Sequence, residues 1–246
     1  MTQTALVTGA ASGLGNAIAR HLLQLGYQLV LTDVDAARAQ QAADLLDNGR
    51  ERVLALGLDI RQQPDFENAL AATLARFGSL EVLVNNAALT LATPVMEIGA
   101  DEFDRVITTN LRGTFVSCQT LGRYFAQRGY GRIINLASLA GQNGGTASGA
   151  HYAASKGGIL TLTKVFAREL SQSGVTVNAI APGPMDLPSV HALVPEEKLA
   201  GLVQMIPVGK LGDAEFVAQA VALLASPQAA FVTGATWDIN GGLFMR

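Results

Sequence analysis

The sequence predicts an α/β fold, one doubly wound parallel sheet of about seven strands with helices on both faces. Two patterns carry that expectation. Short runs of strand length, apolar on both sides, alternate with longer stretches of helical period along the whole chain. A glycine-rich turn joins the first run to the first helical stretch. The strand runs are Leu6-Val7, Leu29-Val30-Leu31, Val53 to Leu56, Val82 to Val84, Ile133-Ile134, Val175 to Ile180 and Ala235 to Ile239. Helices are predicted near 13–25, 35–48, 63–77, 101–127, 152–172 and 213–225. No linker, repeat or low-complexity tract divides residues 1–246, so one domain is expected. The least regular stretch, Pro182 to about Pro207, is rich in proline and holds a helical patch over Glu196–Gln204. Within it, 184–207 reads as a substrate-binding flap, since long loops at strand ends often gate ligands. An ordinary surface connection is the plainer alternative.

Composition narrows the function. Of 246 residues, 49% are hydrophobic and 15% charged, which suits a large buried core. The 17 basic and 20 acidic residues are scattered and leave a net charge of -3. No basic stripe suits nucleic acid. Cys118 is the single cysteine, which excludes an intrachain disulfide and agrees with a reducing compartment. The start, Met1-Thr-Gln-Thr-Ala-Leu-Val-Thr8, lacks the features of a signal peptide. No apolar run approaches the ~18 residues of a membrane helix. A soluble, cytoplasmic protein with neither nucleic-acid nor membrane partners is expected.

The turn Thr8-Gly9-Ala-Ala-Ser12-Gly13-Leu14-Gly15 follows the first strand and opens the first helix. Its glycines permit tight turning, and the helix start offers free N–H groups and a positive dipole end to a pyrophosphate. No Lys-Ser/Thr pair follows, which argues against a nucleoside-triphosphate loop. Asp33, at the end of the second strand, stands where a carboxylate can accept from both hydroxyls of an adenosine ribose. It would repel a 2′-phosphate, and neither Val34 nor Ser12 offers a cation to offset that. These features favour NAD over NADP. Asp35 is placed to cap the following helix.

Tyr152 and Lys156 lie four residues apart, on one face of a predicted helix. An ammonium beside a phenol favours the phenolate and lowers its pKa from the usual ~10. Such a tyrosine can take a proton from an alcohol as hydride leaves, or return it to a ketone. Ser138, closing the run Arg132-Ile-Ile-Asn-Leu-Ala-Ser138, can hold the substrate oxygen beside Tyr152. Each residue alone is common in ordinary elements; the set, downstream of a phosphate turn, is not.

These motifs, with Asp59-Ile60, Asn85-Asn86-Ala87-Ala88, Asn110, Pro182-Gly183 and the ending Phe231-Val-Thr-Gly-Ala-Thr-Trp-Asp-Ile-Asn-Gly-Gly242, resemble the short-chain dehydrogenase/reductase family over essentially the whole chain. The resemblance implies a seven-stranded Rossmann-type sheet and a homotetramer assembled through the helices at 101–127 and 152–172. It implies a catalytic set of Asn110, Ser138, Tyr152 and Lys156, with Asn110 holding a water that links Lys156 to solvent. For the cofactor it implies Gly9, Ser12, Gly13, Leu14, Gly15 and Asp33 at the adenosine and pyrophosphate, and Asp59 and Ile60 at the adenine. Asn86 and Ala87 would border the ribose, Tyr152 and Lys156 the nicotinamide ribose, and Pro182, Gly183 and Met185 the nicotinamide. No metal is implied.

The chain departs from the family pattern in three places. Ala88 replaces a glycine; Ser138 and Tyr152 are 14 positions apart, one more than usual; and Leu187 stands where a threonine often steadies the carboxamide, with Ser189 nearby. Leu89, Leu91, Met96, Leu187, Val190 and Leu193 suggest a partly apolar substrate pocket. His151, beside Tyr152, and His191, in the flap, are weighed as pocket contacts against plainer structural roles. The expected activity is NAD-dependent interconversion of a secondary alcohol and a ketone, the substrate being a small alcohol or ketone. The alternative within the family is a 3-oxoacyl-[acyl-carrier-protein] reductase, for which Arg128 and Arg132 give only a thin basic surface. A catalytically silent NAD-binding regulator is disfavoured, because Tyr152 and Lys156 are both present.

Overall fold

The computed structural model describes every residue except Met1, Asn48, Arg50, Thr146, Ala147, Val194 and Pro195, and only the backbone of Ser189, Ala192, Leu193 and Glu196 to Lys198. Strands β1 (Thr4–Thr8), β2 (Gln28–Asp33), β3 (Val53–Gly57), β4 (Val82–Asn85), β5 (Gly131–Leu136), β6 (Val175–Pro182) and β7 (Thr236–Ile239) form one sheet in the order β3-β2-β1-β4-β5-β6-β7. Every pairing is parallel. The helices are α1 (Gly13–Gln24), α2 (Ala36–Leu46), α3 (Gln63–Phe77), α4 (Ala100–Ile107), α5 (Gly113–Arg128), α6 (Ala140–Asn143), α7 (Ala150–Leu170), α8 (Pro188–Leu193), α9 (Glu196–Met205) and α10 (Ala214–Ala225).

Side chains alternate along a strand, so a strand covered on both sides must be apolar at every position. In β1, Ala5 and Val7 pack with Ile18 and Leu22 of α1 and Val221 of α10, while Leu6 packs with Phe66 of α3 and Leu121 and Phe125 of α5. That accounts for runs without a polar face. Asp35 caps α2, its carboxylate accepting from the N–H groups of Ala37 at 2.9 Å and Arg38 at 3.1 Å. β1 pairs with β2 on one side and β4 on the other. The chain therefore leaves these strands in opposite directions, and a crevice opens at their carboxyl ends.

The single helix predicted over 101–127 is divided. Between α4 and α5 lies one π-helical turn, Thr108–Arg112. The turn carries Asn110, whose side chain is held from outside the helix: it accepts from Leu89 N at 2.7 Å and donates to Leu89 O at 2.9 Å. Such turns concentrate at functional positions. The periodicity of apolar residues is blind to one added residue. α6 and α8 are also additions to the sequence reading, both too short for a periodic signal.

Beneath the crevice a buried polar chain joins two strands to two helices. Ser117 Oγ donates to Asn85 Oδ1 at 2.7 Å, Asn85 Nδ2 to Asn135 Oδ1 at 2.8 Å, and Asn135 Nδ2 to Thr163 Oγ1 at 2.9 Å. Cys118 packs against the same groups, and burial pushes its thiol up to about 12, which makes it a packed side chain rather than a nucleophile. Because Asn135 sits in the middle, Asn135→Ala strands partners on both sides. Urea unfolding of that variant should show a loss of about 2–3 kcal/mol at unchanged m-value. A loss below about 0.5 kcal/mol would mean the chain is not a structural tie.

Candidate active site

The crevice is a cleft of about 820 Å³ running from Asp33 at one end to Tyr152 and Met185 at the other. Gly9, Ser12, Leu14, Asp33, Asp59 and Ile60 line its first half and Asn86 and Ala87 its middle. Ser138, Tyr152, Lys156, Pro182, Gly183 and Met185 line its far end. Gly13, Gly15 and Asn110 are absent from its walls.

The first turn fits a pyrophosphate. Gly9 has φ +62°, and a Cβ there would stand 2.8 Å from Ala87 Cα, so the loops after β1 and β4 can touch only across a glycine. A Cβ on Gly15 would meet Asn86 Nδ2 and the Gly9 carbonyl, which makes Gly15 a packing position. Gly13 has open space before it. Ser12 ends the turn without capping α1 through its side chain, and α1 has no acidic residue in its first turn. The helix start keeps its N–H groups and its positive field for an anion. Asn86 fastens this floor, Nδ2 donating to the carbonyls of Thr8 at 3.0 Å and Gly9 at 3.1 Å.

The Asp33 corner holds more charge than the sequence suggested. Arg38, in the first turn of α2, lines the cleft and donates to Ser12 Oγ at 3.1 Å. Arg61 also lines it, and its guanidinium grips Asp59 at 2.6–3.0 Å. That grip holds the Asp59 carboxyl below the usual carboxylate range. The cation that neither Val34 nor Ser12 offers comes from Arg38, further along the chain. The available signal was the Asp35 cap, which starts α2 at the cleft and so brings Arg38 to its rim.

At the far end, Ser138 follows β5 while α7 carries Tyr152 and Lys156. Lys156 is only 3% exposed; its Nζ donates to the Leu136 carbonyl at 2.6 Å and lies 5.6 Å from the centre of the Tyr152 ring. Burial depresses its pKa to about 8. Burial also raises Tyr152 above its ordinary value, while side-chain hydrogen bonds with Ser138 and Thr90 pull the other way. The expectation that Lys156 lowers the tyrosine pKa is therefore corrected for the protein alone: desolvation is the largest influence on the phenol. Thr90, which sequence reasoning passed over, stands with Ser138 at the tyrosine and lines the cleft.

Asn110 lies behind this group, fully buried, with Nδ2 also donating to Ser155 Oγ at 3.1 Å. Leu89, Leu187 and Val190 line the cleft, whereas Leu91 does not and Met96 is 93% exposed. The side chains of Ser189 and Leu193 lie outside the described residues. His151 takes the plainer of its two weighed roles: it is fully buried against Glu102 and forms no part of the cleft wall. His191 pairs with Asp186 at 2.7 Å. Among the described residues no cluster of three or more His, Cys, Asp or Glu could hold a metal ion.

A phosphate turn at a sheet's switch point, opposite a serine, tyrosine and buried lysine, is the arrangement of an oxidoreductase that works on CH–OH groups with a nicotinamide cofactor. A family model described as enoyl-(acyl carrier protein) reductase matches residues 9–244. The chain is 39% identical over 244 residues to the 3-oxoacyl-[acyl-carrier-protein] reductase FabG of Vibrio cholerae, covering 99% of this chain and 98% of that one. It is 38% identical to FabG of Escherichia coli, covering 98% and 97% of the two chains. With FabG of Staphylococcus aureus it shares 38% over 252 residues, covering 100% and 99%. The chain belongs to the short-chain dehydrogenase/reductase family.

A buried lysine whose pKa is depressed from 10.5 to about 8 opposes folding while it must be charged. The unfolded chain binds more protons between those two values, so the penalty is full below about pH 8 and fades as pH rises through that window. Comparing Lys156→Met with the parent by denaturant unfolding, the parent should gain roughly 3 kcal/mol relative to the variant from neutral pH to the top of the window. A constant difference across that range would refute the burial argument.

Proposed function

We propose that this enzyme interconverts a secondary alcohol and a ketone, prefers NAD, and uses Tyr152 as its proton donor and acceptor. The observation that carries the reading is the buried Lys156 ammonium held 5.6 Å from the Tyr152 ring in a cleft with a phosphate-binding turn at its other end. When bound, the nicotinamide accepts or supplies the hydride. Tyr152 takes the hydroxyl proton during oxidation and returns it during reduction. Ser138 donates to the substrate oxygen and stabilises the developing alkoxide from a position set in advance. Lys156 binds cofactor ribose hydroxyls, its charge opposing the burial that raises the phenol, and Asn110 completes the proton path through a held water. Asp33 accepts from the adenosine ribose. Asp59 and Ile60 border the adenine, and Pro182, Gly183 and Met185 the nicotinamide.

The substrate end supports a partly apolar ligand, with Leu187 and Val190 in the wall. Residues 184–207, folded as α8 and α9 around the undescribed Val194 and Pro195, would serve as the flap. Assembly as a homotetramer through α4, α5 and α7 is supported by the partly exposed Phe103, Phe115 and Val165 on those helices. No helix among the described residues is long and apolar enough to cross a membrane.

A second reading, a 3-oxoacyl-[acyl-carrier-protein] reductase, is favoured by the names of the relatives at 37–39% identity and by Arg38. A guanidinium beside Ser12 is a partner that a 2′-phosphate would find, opposed by the Asp33 carboxylate. Fluorescence titration of the purified protein with NADH and NADPH, followed by a screen of alcohols and ketones, separates the readings. NADH should bind at least about tenfold more tightly, and Tyr152→Phe should lose roughly 100-fold or more in kcat while still binding NADH. Tighter NADPH binding that is lost in Arg38→Ala, with turnover of acetoacetyl thioesters, would establish the second reading. Undiminished turnover in Tyr152→Phe would refute both.

A further inference from the structure

We infer that His151 and Glu102 form a positioning pair that sets Tyr152 in the cleft, an inference that rests on the reading of Tyr152 as the proton donor and acceptor. Tyr152 is the third residue of α7, where a backbone N–H has no partner inside the helix. The preceding cap, Gly149, has no side chain to supply one. His151 supplies it: Nδ1 accepts the Tyr152 N–H at 2.8 Å. A nitrogen that accepts carries no proton, so Nε2 is the protonated one and donates to Glu102 Oε1 at 2.9 Å. The ring is fully buried, and both of its nitrogens are committed.

The ring is held from several directions. A Cβ on Gly149 would fall 2.4 Å from His151 Cε1, so the imidazole packs closely against the backbone of its own helix entry. Gly149 N donates to the Leu91 carbonyl at 2.8 Å, which ties that entry to the segment after β4. Thr93, on the same segment, helps to hold the Glu102 carboxyl below its ordinary value. Glu102 belongs to α4, so the pair joins the first turns of two helices.

On the far side of Tyr152 its carbonyl accepts from Ser155 Oγ at 2.7 Å, and Ser155 Oγ accepts from Asn110 Nδ2 at 3.1 Å. The tyrosine backbone is thus braced at both ends by side chains that do not line the cleft. A phenol that exchanges a proton while hydride moves tolerates little displacement, and an error of about 1 Å can cost 100-fold. Removal of the imidazole frees the Tyr152 N–H and opens a buried space beside the first turn of α7. The cost should therefore fall on the chemical step more than on cofactor binding.

The experiment compares His151→Ala, Glu102→Ala, Glu102→Gln, the double alanine variant and Tyr152→Phe. Ethyl acetoacetate and cyclohexanone serve as ketone probes with NADH and NADPH, alongside direct NADH binding and thermal unfolding. His151→Ala and Glu102→Ala should each lower kcat roughly tenfold to 100-fold, with NADH affinity within about twofold of the parent. The double variant should lose no more than His151→Ala alone, because the pair acts as one unit. Glu102→Gln, which keeps a carbonyl acceptor for Nε2–H, should recover most of the loss. If His151→Ala fails to fold, Glu102→Ala decides, since its side chain is 26% exposed.

Unchanged kcat in a folded His151→Ala or Glu102→Ala, with Tyr152→Phe inactive, would overturn the pair and leave the reading of the site intact. Losses that multiply in the double variant, or that appear equally in NADH affinity, would also overturn it. Turnover retained by Tyr152→Phe, or absent from the parent with both probes and both nicotinamides, would instead overturn the reading beneath it.

Discussion

Lys156 carries an ammonium group to a place that water scarcely reaches, and the surrounding architecture is arranged to keep it there. The charge meets one carbonyl, that of Leu136 at the end of β5, at 2.6 Å. An ion so poorly solvated persists only if its surroundings cannot relax around it. Two features deny that relaxation. The Asn85–Asn135–Thr163 chain fixes α7 against β4 and β5 immediately below the site. On the other side α6 presses against the α7 backbone, where a Cβ on Gly141 would fall 2.5 Å from the Lys156 carbonyl carbon. Only glycine allows that approach. The folding cost of the buried charge is borne by the rest of the domain, as is common where a perturbed pKa serves chemistry.

The cofactor half follows from topology. Parallel strands place all their carboxyl ends on one side, and the reversal of order at β1 and β4 opens the crevice there. Close contact between the loops after those strands requires Gly9, and Asn86 locks them together through the Thr8 and Gly9 carbonyls. The start of α1, without a side-chain cap, would then offer an anion backbone groups alone. In the proposed function, cofactor choice would rest instead on side chains: the Asp33 carboxylate would repel a phosphate that Arg38, held on Ser12, would attract. Loss of solvent on cofactor binding strengthens both effects, so their balance is a property of the occupied corner.

Much of the fold was legible in the sequence because it depends on local periodicity. A two-sided apolar run such as Leu29-Val30-Leu31 has few stable environments other than a covered parallel sheet, and it became β2. The glycine turn, Asp33 and the Tyr152–Lys156 spacing were legible for the same reason, since each works over a few residues. What escaped depends on distant partners. Asn110, in the π turn, is bonded to Leu89, 21 positions away, and Arg38 to Ser12, 26 away. The pairing of His151 with Glu102 spans 49 positions. Nothing in the local sequence distinguishes His151 facing the cleft from His151 turned into the core. The direction of the tyrosine shift was missed because spacing reveals the neighbouring cation but not the burial that outweighs it.

The most direct measurement of the central claim is the titration of Lys156 itself. Side-chain nitrogen NMR of a lysine-labelled, cofactor-free sample would follow its Nζ resonance as pH is raised. A buried ammonium titrates with a midpoint near 8, well below the ordinary 10.5 of a lysine in water. A midpoint at or above about 10 would mean that the ammonium is solvated, and the buried charge could no longer be the constraint around which this site is built.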